Sequence, residues 1–259
     1  MKLENLNRDD QDYLESLLNQ PIKTIEAKTF LSGWRTSAFP VLLQCEDKKK
    51  YVVKGKQAGR QIINDQIVAR LGLAIKAPVG TPQIIEVSKE LIEIEPQLED
   101  FIAGTAHGTE YIVNCTDLYE LPAADKLSKE NRIRLSTLAL LFGWTHASDQ
   151  QFIYENNPPN KIYSVDHGNF FPNPPEWSVS DLVADNAAIL DPYFDGCNFI
   201  PEELRRIYDI LKNVTKKIII EAVAFPREEW EITFEERLEM ISYLTRRTKE
   251  LQTHLESQL

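Results

Sequence analysis

The chain has 259 residues, of which 42% are hydrophobic and 27% are charged, as is typical of a globular protein and not of a disordered one. Its formal net charge of −11 argues against a broad surface for nucleic acid or anionic lipid. The N-terminal residues lack the apolar core of a signal peptide, and the longest apolar run, LALLFGW, is too short to cross a bilayer. The sequence therefore predicts a cytoplasmic protein with no membrane partner and no direct nucleic-acid partner.

Residues 1–98 are predicted to be mainly strands. The stretch KTIEAKTFLSGWRTSAFPVLLQCEDKKKYVVKGK holds apolar runs that are separated by Ser-Gly and Glu-Asp-Lys turns, as in an antiparallel sheet. One helix interrupts this pattern, because Ile63, Ile67 and Leu71 recur every four residues and Gly72 follows where a helix would end. The later stretch TPQIIEVSKELIEIEPQ predicts two more strands joined by a Ser-Lys turn.

Helices dominate from about Phe101 onward. The stretch SKENRIRLSTLALLFGWTHAS predicts a helix that Ser128 caps, and two amphipathic helical stretches follow after residue 200. Between them, DQQFIYENNPPNKIYSVDHG predicts two short strands around an Asn-Asn-Pro-Pro turn. The predicted fold is α+β: a sheet-rich N-terminal lobe with one helix, residues 1–98, joined by a hinge at Pro96–Phe101 to a helical C-terminal lobe, residues 99–259.

Polar and charged residues at the ends of these elements form an ordered set. In chain order the set comprises Gly33, Thr36 and Ser37 in a loop, then Lys54 at a strand end, Asp65 in a helix, and Asp149 and Asp166 on either side of the hairpin. Phosphoryl transfer needs such parts: loop N–H groups and a lysine for the phosphates, and an acid that holds the lysine. It also needs one carboxylate for the attacking hydroxyl and another for Mg²⁺.

Each member of this set also has an ordinary structural explanation. Lys54 suits a solvated strand end, Gly33 suits a turn, and Asp149 suits the end of its helix. Asp166 stands between a buried strand and Gly168, so it suits either a side chain that caps its own turn or a metal ligand followed by a sharp turn. The joint order of the residues favours phosphoryl transfer.

Several stretches resemble the HipA-like kinases, which are relatives of the protein kinases and phosphatidylinositol kinases. GWRTSAFPVLLQCEDKKKYVVKGKQAGRQIINDQIVARLGLAIKAP is similar to the family's phosphate loop, lysine strand and following helix. AHGTEYIV is similar to a Gly-containing element after the hinge, and FGWTHASDQQFIY and KIYSVDHG are similar to the catalytic loop and the metal-binding segment. With AVAFPREEW, which is similar to a later helix, the resemblance covers residues 33–230.

The resemblance implies a bilobal kinase fold that uses ATP and Mg²⁺. Lys54 would contact the nucleotide phosphates, and Asp65 would hold Lys54. Asp149 would be the catalytic base and Asp166 the main Mg²⁺ ligand, while the loop of residues 33–37 would cover the phosphates. The implied reaction is phosphate transfer to a hydroxyl of an unidentified acceptor, a protein Ser or Thr in preference to a small molecule.

Three features depart from the family pattern. Asp65 stands where such kinases usually have the longer Glu, and the stretch HASDQQ lacks the usual neighbours of the catalytic Asp. Gln151 takes the place of the Asn that usually supplies the second metal ligand, and its amide oxygen makes it the expected second ligand here. Asn156 and Asn157 are interpreted as turn residues.

Two other functions are consistent with the sequence. The departures favour a pseudokinase, a nucleotide-binding module that signals through a protein partner, whereas the charged residues that match the family pattern favour an enzyme. A metal hydrolase would recruit the two histidines beside the acids, although their spacing matches no zinc motif. Its ligand set would be His146, Asp149, Asp166 and His167.

Overall fold

The computed structural model describes residues 6–186 and 189–259. Within them the chain forms α-helices and β-strands connected by loops and short 3₁₀ turns. The helices are α1 (Arg8–Leu18), α2 (Gln61–Ala74), α3 (Lys89–Ile94), α4 (Lys129–Thr145), α5 (Val179–Ala184), α6 (Pro201–Lys212), α7 (Lys216–Ala224) and α8 (Phe234–Gln258). The strands are β1 (Ile25–Gly33), β2 (Val41–Cys45), β3 (Lys50–Lys54), β4 (Pro82–Val87), β5 (Gly104–Glu110), β6 (Cys115–Leu118), β7 (Gln151–Glu155) and β8 (Ile162–Val165).

Strands β1 to β5 close into a barrel in the order β1-β2-β3-β5-β4. The sequence predicted an antiparallel sheet, and four of the five pairings are antiparallel, but β1 and β4 pair in parallel. This pairing closes the barrel, because it joins the two strands that would otherwise present unpaired edges. Alternate apolar side chains fill the interior, among them Val41, Leu43, Val53, Ile85 and Ala106.

The described residues of the predicted N-terminal lobe, residues 6–98, contain three α-helices, where the sequence predicted one. The first of them, α1, packs against α7, and the Tyr13 hydroxyl donates to Glu221 Oε1 (2.7 Å). The third, α3, replaces a predicted strand, because Ser88 Oγ accepts from the backbone N–H of Leu91 (3.2 Å) and caps a helix there. After α3 the chain returns to the barrel as β5, so the barrel uses residues on both sides of the boundary expected at residues 98 and 99.

Helix α4 is the centre of the main apolar core, in which Leu138, Leu141 and Phe142 are fully buried. This core extends from α2 through α4 to α8, and the Trp144 indole N–H donates to the Leu244 carbonyl (3.0 Å). Helix α2 thus follows a barrel strand in sequence but packs into the main core. Among the described residues, no helix combines the length and the apolar character that crossing a membrane requires.

Strands β7 and β8 form the predicted hairpin, and β6 adds a third antiparallel strand. Gln151 at the start of β7 lies opposite Val165 at the end of β8. Because Asp149 comes shortly before Gln151 and Asp166 follows Val165, the two acids lie at the same end of the hairpin. The hairpin therefore positions both carboxylates.

Candidate active site

Lys54 links three elements of the fold. It is the last residue of β3, and its Nζ donates to Asp65 Oδ2 on α2 (3.0 Å) and to Asp166 Oδ1 after β8 (2.5 Å). The other oxygen of Asp65, Oδ1, accepts from the backbone N–H of His167 (2.7 Å). The expected pairing of Lys54 with Asp65 is therefore confirmed, and Asp166 joins the same network.

The opposite charges of this network keep its buried members ionised. Lys54 and Asp65 are 4% and 3% exposed, whereas the Asp166 side chain is 34% exposed. Burial alone would lower the pKa of Lys54, but the charges of Asp65 and Asp166 outweigh it and raise that pKa to about 12. Burial would likewise raise the pKa of Asp65, but the nearby positive charge of Lys54 lowers it below its ordinary value. Lys54 and Asp65 thus form a buried ion pair with Asp166 on its solvent side.

The chain turns sharply at Asp166 and then passes close to α2. Asp166 has φ = 55°, a left-handed conformation that short polar side chains tolerate. A Cβ atom at Gly168 would lie 2.8 Å from the Cβ of Gln61, closer than side chains approach, so glycine is needed there. Burial and the negative charge of Asp65 raise the pKa of Asp166, and Lys54 opposes this shift. Asp166 is consequently held beside α2, and its carboxylate remains partly exposed.

Asp149 lies between α4 and β7 and is oriented by two amides. Its Oδ2 accepts from Gln151 Nε2 (2.8 Å) and from Asn169 Nδ2 (3.4 Å). In the described part of the chain, no donor forms a hydrogen bond to its Oδ1. Sequence reasoning did not identify Asn169, although its position three residues after Asp166 places it beside the same hairpin end. Asn169 is a second amide side chain next to the two acids.

The two histidines near these acids point to other partners. The His167 ring is buried and shares a hydrogen bond with Ser164 Oγ (2.9 Å), and burial lowers its pKa to about 4. His146 Nδ1 lies 2.9 Å from Asp185 Oδ1. Among the described residues, no group of three or more His, Cys, Asp or Glu side chains could hold a metal ion. The hydrolase ligand set is therefore not assembled.

Gly33, which was predicted in a loop, is the last residue of β1 and lies opposite Val41 of β2. Thr36 and Ser37 follow in the loop between β1 and β2, and all three residues are exposed. A turn forms within this loop, because the backbone N–H of Phe39 donates to the Thr36 carbonyl (3.1 Å). Within the described chain, no hydrogen bond joins these three residues to Lys54. A cleft of about 660 Å³ lies between this loop and the segment before β5. It is lined by Phe30, Gly33, Arg35, Thr36, Phe39, Pro96, Gln97, Glu99 and Asp100.

The barrel, the buried lysine pair and the two acids at one hairpin end are the features of a kinase-type phosphotransferase. The chain belongs to the HipA-like kinase family, because residues 34–171, just over half of its length, match the model of that family. The resemblance that the sequence suggested is thus confirmed. A comparison with curated protein sequences gives no significant match.

Solved structures of kinases share the fold. The crystal structure of the Helicobacter pylori proinflammatory kinase CtkA aligns with a TM-score of 0.60 and 9% identity, over 91% of this chain and 99% of that one. The Golgi casein kinase aligns with a TM-score of 0.52 and 13% identity, over 96% of this chain and 77% of that one. The same kinase with Mn/ADP bound aligns with a TM-score of 0.51 and 13% identity, over 95% and 75%. At these identities the similarity concerns the fold.

Proposed function

We propose that the protein is an ATP- and Mg²⁺-dependent kinase that transfers phosphate to a hydroxyl group, with a protein Ser or Thr as the acceptor. The observation that carries this proposal is the network in which Lys54 binds both Asp65 and Asp166. In phosphoryl transfer a lysine contacts the nucleotide phosphates, and an acid on a helix holds that lysine in place. Asp65 makes this contact at 3.0 Å in spite of its short side chain, which supports the enzyme over the pseudokinase.

The side chains beside Asp166 fit a divalent cation with hard oxygen ligands. Asp166 has a partly exposed carboxylate, and Gln151 and Asn169, whose amide nitrogens donate to Asp149, lie at the same hairpin end. Each of these amides also carries an oxygen of the kind that binds Mg²⁺. We assign Asp166 and Gln151 as the metal ligands, with Asn169 as the alternative to Gln151. When bound, the ion would neutralise the charge of the nucleotide phosphates. The structure of the Golgi casein kinase with Mn/ADP supports the use of a divalent metal and a nucleotide.

Asp149 is the proposed base. Two amides hold its Oδ2, so Oδ1 is directed and available to accept the proton of the acceptor hydroxyl. In the transfer, the hydroxyl oxygen forms a bond to the γ-phosphorus and the bond from that phosphorus to the β-γ bridging oxygen breaks. Lys54 and the N–H groups of the loop at residues 33–37 would stabilise the phosphates. The name of the Golgi casein kinase, which shares the fold, supports a protein acceptor.

Two substitutions test these roles separately. Asp166→Asn should weaken the metal-dependent part of ATP binding, because it removes the charge of the main ligand. Asp149→Asn should preserve ATP binding and lower turnover by about 10²–10⁴-fold, because it removes only the base. Thermal-shift titrations with ATP and Mg²⁺ measure binding, and an assay of ADP formation in the presence of an acceptor measures turnover.

The same binding and turnover assays on the wild-type protein distinguish an active kinase from a pseudokinase. Nucleotide binding without turnover, for every acceptor tried, would establish the pseudokinase. If ATP produced no thermal shift at all, the kinase proposal would be wrong and only the shared fold would remain.

A further inference from the structure

Asn64 connects α2 to the segment that follows Asp166. Its side chain is fully buried, and its Nδ2 lies within hydrogen-bond distance of the carbonyl oxygens of Gly168 (2.8 Å), Phe170 (3.2 Å) and Pro175 (3.5 Å). Its Oδ1 accepts from the indole N–H of Trp177 (2.7 Å). One amide therefore contacts four points of a single segment, residues 168–177.

The hydrogen-bond partners of Asn64 require an amide in one orientation. Carbonyl oxygens accept only from donors, so only the Nδ2 side of Asn64 can face Gly168 and Phe170, and the indole of Trp177 requires the Oδ1 side. An apolar residue at position 64 would leave these buried groups without partners, which costs far more than the net value of one hydrogen bond. The chemistry of the site thus accounts for asparagine at this position.

Neighbouring residues strengthen the same attachment. Asp65 holds the backbone N–H of His167, so two consecutive residues of α2 bind the chain on the C-terminal side of Asp166. The Arg60 guanidinium lies over the Trp177 ring, 4.3 Å from its centroid. Arg60 is fixed in turn by Glu236 of α8 (3.0 Å).

We propose that Asn64 is a positioning residue that holds the segment after Asp166 against α2. It thereby fixes Asp166 relative to Asp65, the acid on α2 that binds Lys54. The proposal rests on the proposed function, in which Asp166 is the metal ligand. It extends that function by assigning the order of the metal-binding segment to an amide on α2.

Asn64→Asp tests this role with a change of one atom. The aspartate can still accept from Trp177, but it loses the N–H donors and places an oxygen against three carbonyl oxygens. The matched control is Asn131→Asp, because Asn131 is also buried and makes the same kinds of bond. Its Nδ2 donates to the Asn160 carbonyl (3.0 Å) and its Oδ1 accepts from the Ile162 N–H (3.1 Å), at the opposite end of β8.

Hydrogen exchange in the protein without ligands is the first measurement. We expect Asn64→Asp to raise the exchange rates of the amides in residues 167–171 by at least about tenfold, the factor that corresponds to one lost hydrogen bond. Asn131→Asp should leave these amides at the wild-type rate and change only those near residue 162. Wild-type exchange rates in a folded Asn64→Asp variant would overturn the proposal.

The metal dependence of nucleotide binding is the second measurement. ADP is titrated with and without Mn²⁺, and the ratio of the two affinities gives the enhancement of ADP binding by the metal. We expect Asn64→Asp to reduce this enhancement about tenfold, while the affinity for ADP without metal stays at the wild-type value. An unchanged enhancement would show that Asn64 only stabilises the fold, and the positioning role would be wrong.

A second variant and the wild-type control complete the experiment. If Asn64→Asp does not fold, Trp177→Phe removes only the N–H that orients the amide, and it should raise exchange in the same segment to a smaller extent. If the ADP affinity of the wild-type protein were the same with and without Mn²⁺, the proposed function would be wrong, and not the role of Asn64. The exchange rates would still decide whether Asn64 holds the segment.

Discussion

Asp65 reaches Lys54 although its side chain is one methylene shorter than the Glu usual at this position in such kinases. Its second oxygen is held by the His167 N–H, so the carboxylate is fixed from both sides and needs no longer stem. Lys54 is the only cation among the described residues that forms a salt bridge with Asp65. Removing that cation should therefore affect both the stability of the fold and the binding of nucleotide.

Lys54→Met keeps most of the apolar stem and removes the charge. We expect the free energy of unfolding to fall by about 3–5 kcal/mol, because Asp65 is left as a buried carboxylate without its counter-charge. ATP binding should weaken in the same variant. Urea unfolding measures the first effect and thermal-shift titration with ATP measures the second.

Lys49→Met is the control for this prediction. Lys49 immediately precedes β3 and pairs with Glu110 (2.9 Å), but both side chains are solvent-exposed to a large extent. We expect a much smaller loss of stability, because exposed ion pairs are screened by water. Equal losses in the two variants would contradict the buried network.

The sequence identified several residues of the candidate site but not their neighbours. Lys54, Asp65 and Asp166 were recognised because their order along the chain, together with the resemblance to the HipA-like kinases, matches the parts that phosphoryl transfer needs. Asn169 was missed because its contact with Asp149 crosses from one side of the hairpin to the other. Such contacts depend on register and not on local pattern, so a single sequence does not reveal them.

At the level of elements, α3 shows where a local pattern was insufficient. The stretch after β4 has apolar residues at Leu91, Ile92 and Ile94, a run too short to distinguish a strand from a helix. The helical conformation is favoured by the cap at Ser88 and by the burial of Leu91 against the barrel interior. The parallel pairing of β1 with β4 was unpredictable for a related reason, because it joins strands far apart in the chain.

Ser88→Ala tests the importance of this cap. The variant loses the acceptor for the Leu91 N–H, so we expect the free energy of unfolding to fall by about 1 kcal/mol. Ser257→Ala makes the same change near the end of α8, where the hydroxyl only donates to the His254 carbonyl. Urea unfolding should therefore leave Ser257→Ala close to the wild type, and a similar shift in both would argue against a capping role.

For the whole molecule, acid should reduce stability through a buried histidine on β5. His107 is buried between Gln66 and Thr109, and burial lowers its pKa to about 4. The His107 side chain takes up a proton near pH 6.5 in the unfolded chain but only near pH 4 in the folded protein. The contribution of this difference to the free energy of unfolding is therefore complete above pH 6.5 and is lost as the pH falls toward 4. The loss is on the order of 3 kcal/mol.

His107→Gln should flatten this dependence, because glutamine does not titrate. The free energy of unfolding in urea, measured at pH 7.0, 5.5 and 4.5, should fall less steeply in the variant than in the wild type. Parallel curves would show that His107 does not link folding to pH.

The barrel is joined to the rest of the protein at several places. The chain enters it from α1, which packs against α7, and leaves it after β5, while α2 connects β3 to β4 and packs into the main core. Lys54 adds hydrogen bonds to Asp65 on α2 and to Asp166 after β8. A rotation of the barrel away from the hairpin would therefore have to separate Lys54 from Asp166, so the distance between these two side chains should report any such opening.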